Sequence, residues 1–369
     1  MRVIVAAAGT AGHINPALAI ANKIKKESPR SEILFLGTDR GLENDLVPRA
    51  GYPLKTIEAY GLSKKISIDS LKKNIKTLKG VIQARKIVKE FFPDIVIGTG
   101  GYICGAAILA ANKYKIPTIL HESNAFPGKA VKMLSKKVNT ILVSFEDAKD
   151  RIPEKTNVVL TGTPTKTKNL NLTKEQKEEI IKRLGLKPEK PVVLIFGGSQ
   201  GAKAINDVVV KIINENLNRD YQIMWAPGPI QYDIVKKEIN NISRLKEVKI
   251  VPYIYNMEEV MNACDLIISR SGAMTITEIS IVGKPAIFVP LPNVSNNHQV
   301  YNAQVLERVG AAKILLNEDL NKETLNSKIE EIIKNPKLIK EMGENARKIA
   351  ITNVEDKIYE EIRRVLKCN

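Results

Sequence analysis

The chain has 369 residues, 44% hydrophobic and 26% charged, which suits a folded globular protein of about two domains and excludes a disordered tail or a collagen-like rod. Basic residues exceed acidic ones by 57 − 40 = 17, unevenly: residues 1–164 carry 26 bases against 14 acids, residues 165–369 carry 31 against 26. Unless the lysines are a habit of the whole proteome, the partner is anionic: nucleic acid, a phosphorylated substrate or an acidic membrane surface; one Trp, 5% aromatics and no nucleic-acid motif argue against nucleic acid.

The first predicted element is a buried strand over Arg2–Ala8. It superficially resembles a signal peptide, but its apolar run is too short and leads into the loop Gly9–His13 and a helix over Pro16–Lys26. A strand over Ile33–Leu36 follows, then Lys64–Lys89, with nine bases against the single acid Asp69. Within it Ile68, Leu71, Ile75, Leu78 and Ile82 recur at three- and four-residue steps, one apolar stripe of a helix, with Lys72, Lys73, Lys76 and Lys79 mainly off it. The stripe is expected to pack into the first domain's core, the alternative being a basic, partly apolar patch for anionic lipid. Strands at Ile95–Gly98, Thr118–His121 and Thr140–Val143 complete the first half, and Thr161–Leu172 reads as a hinge.

The second half repeats the grammar. A strand over Pro191–Phe196 precedes the glycine turn Gly197–Ala202 and a helix over Lys203–Asn216, with further strands at Gln222–Ala226, Val248–Val251, Leu266–Ser269 and Ala286–Val289. Strand, glycine turn and helix open a doubly wound α/β domain. The expected architecture is two tandem Rossmann-like domains around an interdomain cleft: 1–163, to which a helix over 352–369 returns, and 164–351. No run approaches the ~18 apolar residues of a membrane span. The three distant cysteines, Cys104, Cys264 and Cys368, suit a reducing compartment, and without CxxC or HExxH no zinc site is read.

Neither leading strand is followed by GxGxxG, which weakens a dinucleotide reading. Gly9 and Gly12 would still let backbone approach a phosphate before a helix N-terminus. In SRSGAMTITE (269–278), Ser271 and Gly272 should open a helix that accepts an anion or a sugar hydroxyl. Glu278 lies about a turn and a half on, where a carboxylate can accept two vicinal hydroxyls of a ribose. The long loop Pro290–Ala303 brings His298, Gln299 and Asn302 to the same edge. All three histidines, His13, His121 and His298, fall at strand ends, whereas a structural histidine is the default for any one.

Taken in order, GTAGHINPALA, FLGTDRGLE, GTGGYICG, HESNAFPGKA, GTPTK, GGSQGA, SRSGAMTITE and NNHQVYNA resemble the GT-B glycosyltransferases of family 28 nearly end to end. Within it they resemble the peptidoglycan transferases that move N-acetylglucosamine from UDP-N-acetylglucosamine to the 4-hydroxyl of undecaprenyl-diphospho-N-acetylmuramyl-pentapeptide. The resemblance implies a GT-B fold and inversion at the anomeric carbon. It places Thr10, Ala11 and Gly12 at the donor sugar and diphosphate, with His13 as candidate base or acceptor contact. It sets Asn124 on a sugar hydroxyl, Ser199 at the phosphates, the Ile254 backbone at uracil, and Lys166 and His298 in the donor site. Ala273, Met274 and Thr275 would line the phosphates and sugar, Glu278 the ribose, and Gln299 the donor sugar. Gly98, Thr99, Gly100, Gly101 and Tyr102 would cradle the acceptor diphosphate. Where the family has glycine and arginine, this chain has Ala11 and Lys166. The resemblance further implies a peripheral place on the cytoplasmic face of the cell membrane and cell-wall synthesis proteins as partners. No DxD string occurs, so no metal or other cofactor is required, although a divalent cation could stimulate. A UDP-N-acetylglucosamine 2-epimerase or a diacylglycerol glycosyltransferase of the same fold stays open.

Overall fold

The computed structural model describes residues 1–60, 68–198, 201–241 and 246–367, without the side chains of 68–74 and 295. The chain forms two compact units, Met1–Thr165 with Ile351–Asn369, and Lys166–Ala350. Unit 1 runs β1 (Arg2–Ala7), α1 (Ala11–Glu27), β2 (Glu32–Gly37), α2 (Glu43–Arg49), β3 (Leu54–Thr56), α3 (Ile68–Phe91), β4 (Ile95–Gly100), α4 (Ile103–Lys113), β5 (Thr118–Glu122), α5 (Lys129–Leu134), β6 (Thr140–Val143) and β7 (Val158–Leu160). Unit 2 runs α6 (Lys174–Arg183), β8 (Val192–Phe196), α7 (Lys203–Asn214), β9 (Gln222–Ala226), α8 (Pro229–Glu238), β10 (Val248–Ile250), α9 (Met257–Ala263), β11 (Leu266–Ser269), α10 (Ala273–Val282), β12 (Ala286–Phe288), α11 (His298–Arg308), β13 (Ala312–Ile314), α12 (Lys322–Ile333) and α13 (Pro336–Lys348). The last helix, α14 (Val354–Lys367), belongs to unit 1.

Both sheets are parallel, in the orders β3-β2-β1-β4-β5-β6-β7 and β10-β9-β8-β11-β12-β13. In unit 1, Ile4 and Ala6 face a core shared with α3 and α4. Val3, Val5 and Ala7 face one shared with α1 and α14. Strands covered on both faces read as continuous apolar runs, which is why β1, β4 and β6 were legible. Unit 2 packs Val193, Ile195 and Trp225 against Val209 and Ile213 of α7 and Leu325 and Ile329 of α12. Lys23 of α1 pairs with Asp356 of α14, and Ser28 hydrogen-bonds Tyr359 at 3.0 Å.

Several expectations need correction. Helix α1 begins at Ala11, five residues early, so the last three residues of the expected Gly9–His13 loop form its first turn. The supposed loop 290–303 ends in α11 from His298, its start disguised by Asn296 and Asn297 in left-handed backbone. Three-residue strands β3, β7 and β13 at the sheet edges were not expected; each is too short to show a strand pattern in sequence and has one strand neighbour.

The described part of the stripe on α3 does not enter the core. Ile75, Leu78 and Ile82 are 47%, 65% and 64% exposed, and the helix packs through Val81, Ala84, Ile87 and Val88 instead. At 100° per residue the two sets point roughly 150° apart, so this helix carries apolar residues on opposite sides. Ile68, Leu71, Lys72 and Lys73 have side chains outside the described residues. No helix among the described residues is long and apolar enough to cross a membrane.

Candidate functional site

Both sheets reverse their strand order once, between β1 and β4 in unit 1 and between β8 and β11 in unit 2. Doubly wound sheets bind ligands outside the carboxyl ends of the strands at such switch points. The loops after these four strands are the glycine motifs: 8–10, 100–102, 197–202 and 270–272. The helices behind them, α1, α4, α7 and α10, start without a side-chain cap. By contrast α6 and α12 close theirs with capping boxes. Uncapped first turns keep backbone N–H groups for a ligand, with the positive end of the helix dipole behind them.

In unit 1 the first two loops pack together. The register of β4 against β1 slips between Ala6 and Ala7, so Ala6 faces Gly98 and Ala7 faces Gly100. The extra residue, Thr99, gives its hydroxyl to the His13 carbonyl at 2.8 Å. Gly100 has φ +143°, and a Cβ there would lie 2.2 Å from His13 Cδ2; Gly101 has φ +83° and lies under the Ala8 carbonyl. Only glycine permits this closeness. His13 Nδ1 meets the Ala8 carbonyl oxygen at 3.0 Å. A carbonyl can only accept, so Nδ1 carries the hydrogen, and in the neutral ring Nε2 is the nitrogen that holds the lone pair. Tyr102 is exposed beside this loop.

His13, Thr99, Gly100, Gly101 and Asn124 line one cavity of about 90 Å³. Ala11 and Gly12 form the first turn of α1, and Ala11 is not among the residues of positive φ, so its backbone does not need the family's glycine. Asn124 is held by Glu122, whose Oε1 accepts its backbone N–H at 2.9 Å and its Nδ2 at 3.0 Å. The other oxygen of Glu122 accepts from Gly128 N–H at 2.7 Å, at the start of α5. His121 lines the same cavity but is fully buried. Its Nε2 bonds the Gly162 carbonyl at 2.9 Å, and burial depresses its pKa to about 4. It is a neutral structural histidine.

Unit 2 gathers its candidates at the starts of α10 and α11. Ser271 gives its hydroxyl to the Gln299 carbonyl at 2.7 Å, and Asn302 Nδ2 bonds the Ser271 carbonyl at 3.2 Å, tying the two helices together. Gln299 Oε1 accepts from Leu291 N–H at 2.9 Å, which leaves its amide nitrogen as the donor a ligand would meet. Ala273, Met274 and Thr275 make the first turn of α10, and half-buried Glu278 accepts from Thr167 at 3.2 Å. His298 opens α11, and Lys166, first residue of the unit, is exposed. Ile254 follows β10 at the far edge of the sheet, its side chain buried between exposed Tyr253 and Tyr255, so only its backbone can address a base. In the turn after β8, a Cβ on Gly197 would lie 2.2 Å from Ala202 N and one on Gly201 2.3 Å from the Pro227 carbonyl. Ser199 lies outside the described residues.

Three supporting residues were not singled out from the sequence. Glu122 builds the Asn124 turn. Arg270, buried, gives Nη1 to the carbonyls of Val289 and Pro290 and to Asn317 Oδ1, bracing the loop after β12. Glu43 accepts from Gly9 N–H at 2.9 Å. All three stand inside or beside motifs whose glycines and histidines drew the attention.

The family 28 glycosyltransferase N-terminal domain matches residues 3–143 and the C-terminal domain residues 192–358. The chain is 42% identical over 368 residues, covering 100% of itself and 99% of the relative, to the UDP-N-acetylglucosamine–N-acetylmuramyl-(pentapeptide) pyrophosphoryl-undecaprenol N-acetylglucosamine transferase of Acetivibrio thermocellus. It matches the crystal structure of Acinetobacter baumannii MurG with a TM-score of 0.81 at 30% identity, over 98% of this chain and 99% of that one. UDP-GlcNAc 2-epimerase from Neisseria meningitidis, bound to UDP-GlcNAc, aligns with a TM-score of 0.66 at 17% identity, covering 99% and 100%; that likeness concerns the fold alone.

Proposed function

The chain belongs to glycosyltransferase family 28, and we propose that it transfers N-acetylglucosamine from UDP-N-acetylglucosamine to the 4-hydroxyl of undecaprenyl-diphospho-N-acetylmuramyl-pentapeptide. The observation that carries this reading is the 42% identity along the whole length to a transferase so named, with four glycine motifs of the chain following the four switch-point strands β1, β4, β8 and β11. In unit 2 the donor takes its uracil on the Ile254 backbone, its ribose on Glu278, its phosphates on the Ser199 turn, Lys166 and residues 273–275, and its sugar on His298 and Gln299. In unit 1 Thr10, Ala11, Gly12 and Asn124 serve the donor sugar and diphosphate, and residues 98–102 take the acceptor diphosphate. His13 Nε2 removes the proton of the attacking hydroxyl, a role its tautomer supports. The new oxygen–carbon bond forms as the bond to the UDP oxygen breaks, with inversion, and the charge leaves on UDP toward the first turn of α10.

The displacement needs no resident cofactor, so transfer should persist in excess chelator. The lipid tail of the acceptor cannot leave a bilayer, so unit 1 works at the cytoplasmic face of the membrane. Exposed Ile75, Leu78 and Ile82, with exposed Lys76 and Lys79, support α3 as the docking element on anionic lipid. The test is labelled UDP-N-acetylglucosamine with and without the undecaprenyl-linked acceptor. Transfer that requires the acceptor supports the reading; epimerised sugar formed without it sinks it.

A further inference from the structure

Glu43 is a carboxylate with no solvent exposure, yet no cation among the described residues pairs with it. Its Oε1 accepts the Thr38 backbone N–H at 2.9 Å and the Thr38 hydroxyl at 2.7 Å, and its Oε2 accepts Gly9 N–H at 2.9 Å. These bonds outweigh burial, which pushes its pKa up, and hold the carboxyl below its ordinary range. The local chain is shaped around it: a Cβ on Gly41 would fall 1.9 Å from Oε2, and one on Gly37 2.7 Å from Cγ. Leu42 N–H bonds the Gly9 carbonyl at 3.2 Å, a second tie to the same loop.

The Gly9 N–H and the Ala8 carbonyl belong to one peptide group. Its N–H end is held by Glu43, and its oxygen holds His13 Nδ1 at 3.0 Å. We propose that Glu43 is a positioning residue that acts through the Ala8–Gly9 peptide on His13, as a buried carboxylate acts directly on an imidazole in better-known dyads. An anion on the N–H end polarises the peptide and strengthens its oxygen as an acceptor, since hydrogen bonds in a chain reinforce one another. The stronger acceptor fixes hydrogen on Nδ1, keeps Nε2 open, and favours the imidazolium once Nε2 has taken a proton. This rests on the reading of His13 as the base, and the experiment separates the two.

Glu43→Gln is the selective change. Its one carbonyl oxygen does best with the two Thr38 donors, which turns its NH₂ toward Gly9 N–H and breaks that bond alone. Gly41→Ala is the second variant. Gly41 is not at positive φ, so alanine suits its backbone, while the new methyl displaces the retained carboxylate. Turnover, KM and the imidazole ¹⁵N spectrum are read together. With three histidines in the chain the spectrum is simple, and buried His121, bonded through Nε2 to Gly162, reports whether unit 1 is folded. Both variants should lower kcat roughly ten- to a hundredfold, the range for partners that orient metal-bound imidazoles. Donor KM should hold within about twofold while His13 loses its Nδ1–H signature and His121 keeps its own. In a His13→Ala background, Glu43→Gln should slow turnover no further. An equal fall in that background, or an unchanged His13 signature in both folded variants, overturns the proposal. Normal turnover of His13→Ala alone sinks the base assignment instead, and the spectrum then decides the link by itself.

Discussion

Changing Ile75, Leu78 and Ile82 together to glutamine separates the two uses a helix can make of apolar residues. Fully burying an Ile or Leu side chain gains about 1.5–3 kcal/mol. Weighted by exposures of 47%, 65% and 64%, the three hold roughly 3–5 kcal/mol that folding leaves unspent and a bilayer could take up. Their loss should lower vesicle partitioning by about two to four powers of ten and leave stability within ~0.5 kcal/mol, because exposed positions away from caps and glycines are nearly neutral. Changing Lys76 and Lys79 to glutamine removes ~1 kcal/mol each, an effect that should fade as salt rises, unlike the apolar one. The assay is co-sedimentation with vesicles of neutral and anionic lipid, beside urea denaturation of the same variants. A triple variant that sediments like its parent refutes docking through α3. One that loses several kcal/mol of stability refutes the assignment of this face to the outside.

Three other outcomes follow from the sites. Glu278→Ala should weaken UDP binding at least tenfold by calorimetry, since charge-assisted hydrogen bonds of ~1.5–3 kcal/mol each are lost; unchanged affinity removes it from the donor site. His13→Ala should cut kcat far more than it alters donor affinity, and a loss confined to affinity would make the residue a loop support. His121 has a folded pKa of about 4 against ~6.5 unfolded, so between those values the unfolded chain takes up a proton that the folded chain refuses. Its contribution is complete above pH ~6.5 and is lost on acidification, ~3 kcal/mol by pH 4; a His121→Gln variant whose stability falls just as steeply over that window would rule this out.

Most of the central strands could be read from sequence because a parallel strand covered on both faces cannot alternate, and its apolar run stands out between glycine and polar turns. The edge strands β3, β7 and β13, of three residues each, are too short to show that signature. The start of α1 is misplaced for a different reason. Pro16 is a strong first-turn signal, and the glycines at 9 and 12 read as a loop, whereas the helix already begins at Ala11 after Thr10. The equally uncapped α7 and α10 start where the sequence reading puts them.

The stripe on α3 shows where periodicity stops informing. Spacing of three and four residues establishes that side chains share one helical face; it does not say what meets that face. Here Val81, Ala84 and Val88 supply a second face, and they pack inward. Two faces on one helix leave one for another surface. The same limit governs the charged residues. Glu43 and Glu122 stand in quoted motifs, but their work is to hold the backbone of Gly9, Asn124 and Gly128. Such work has no pattern of its own in a single chain. It becomes visible only where a buried carboxylate is found with its lone pairs on the N–H groups of the loops that meet the ligand.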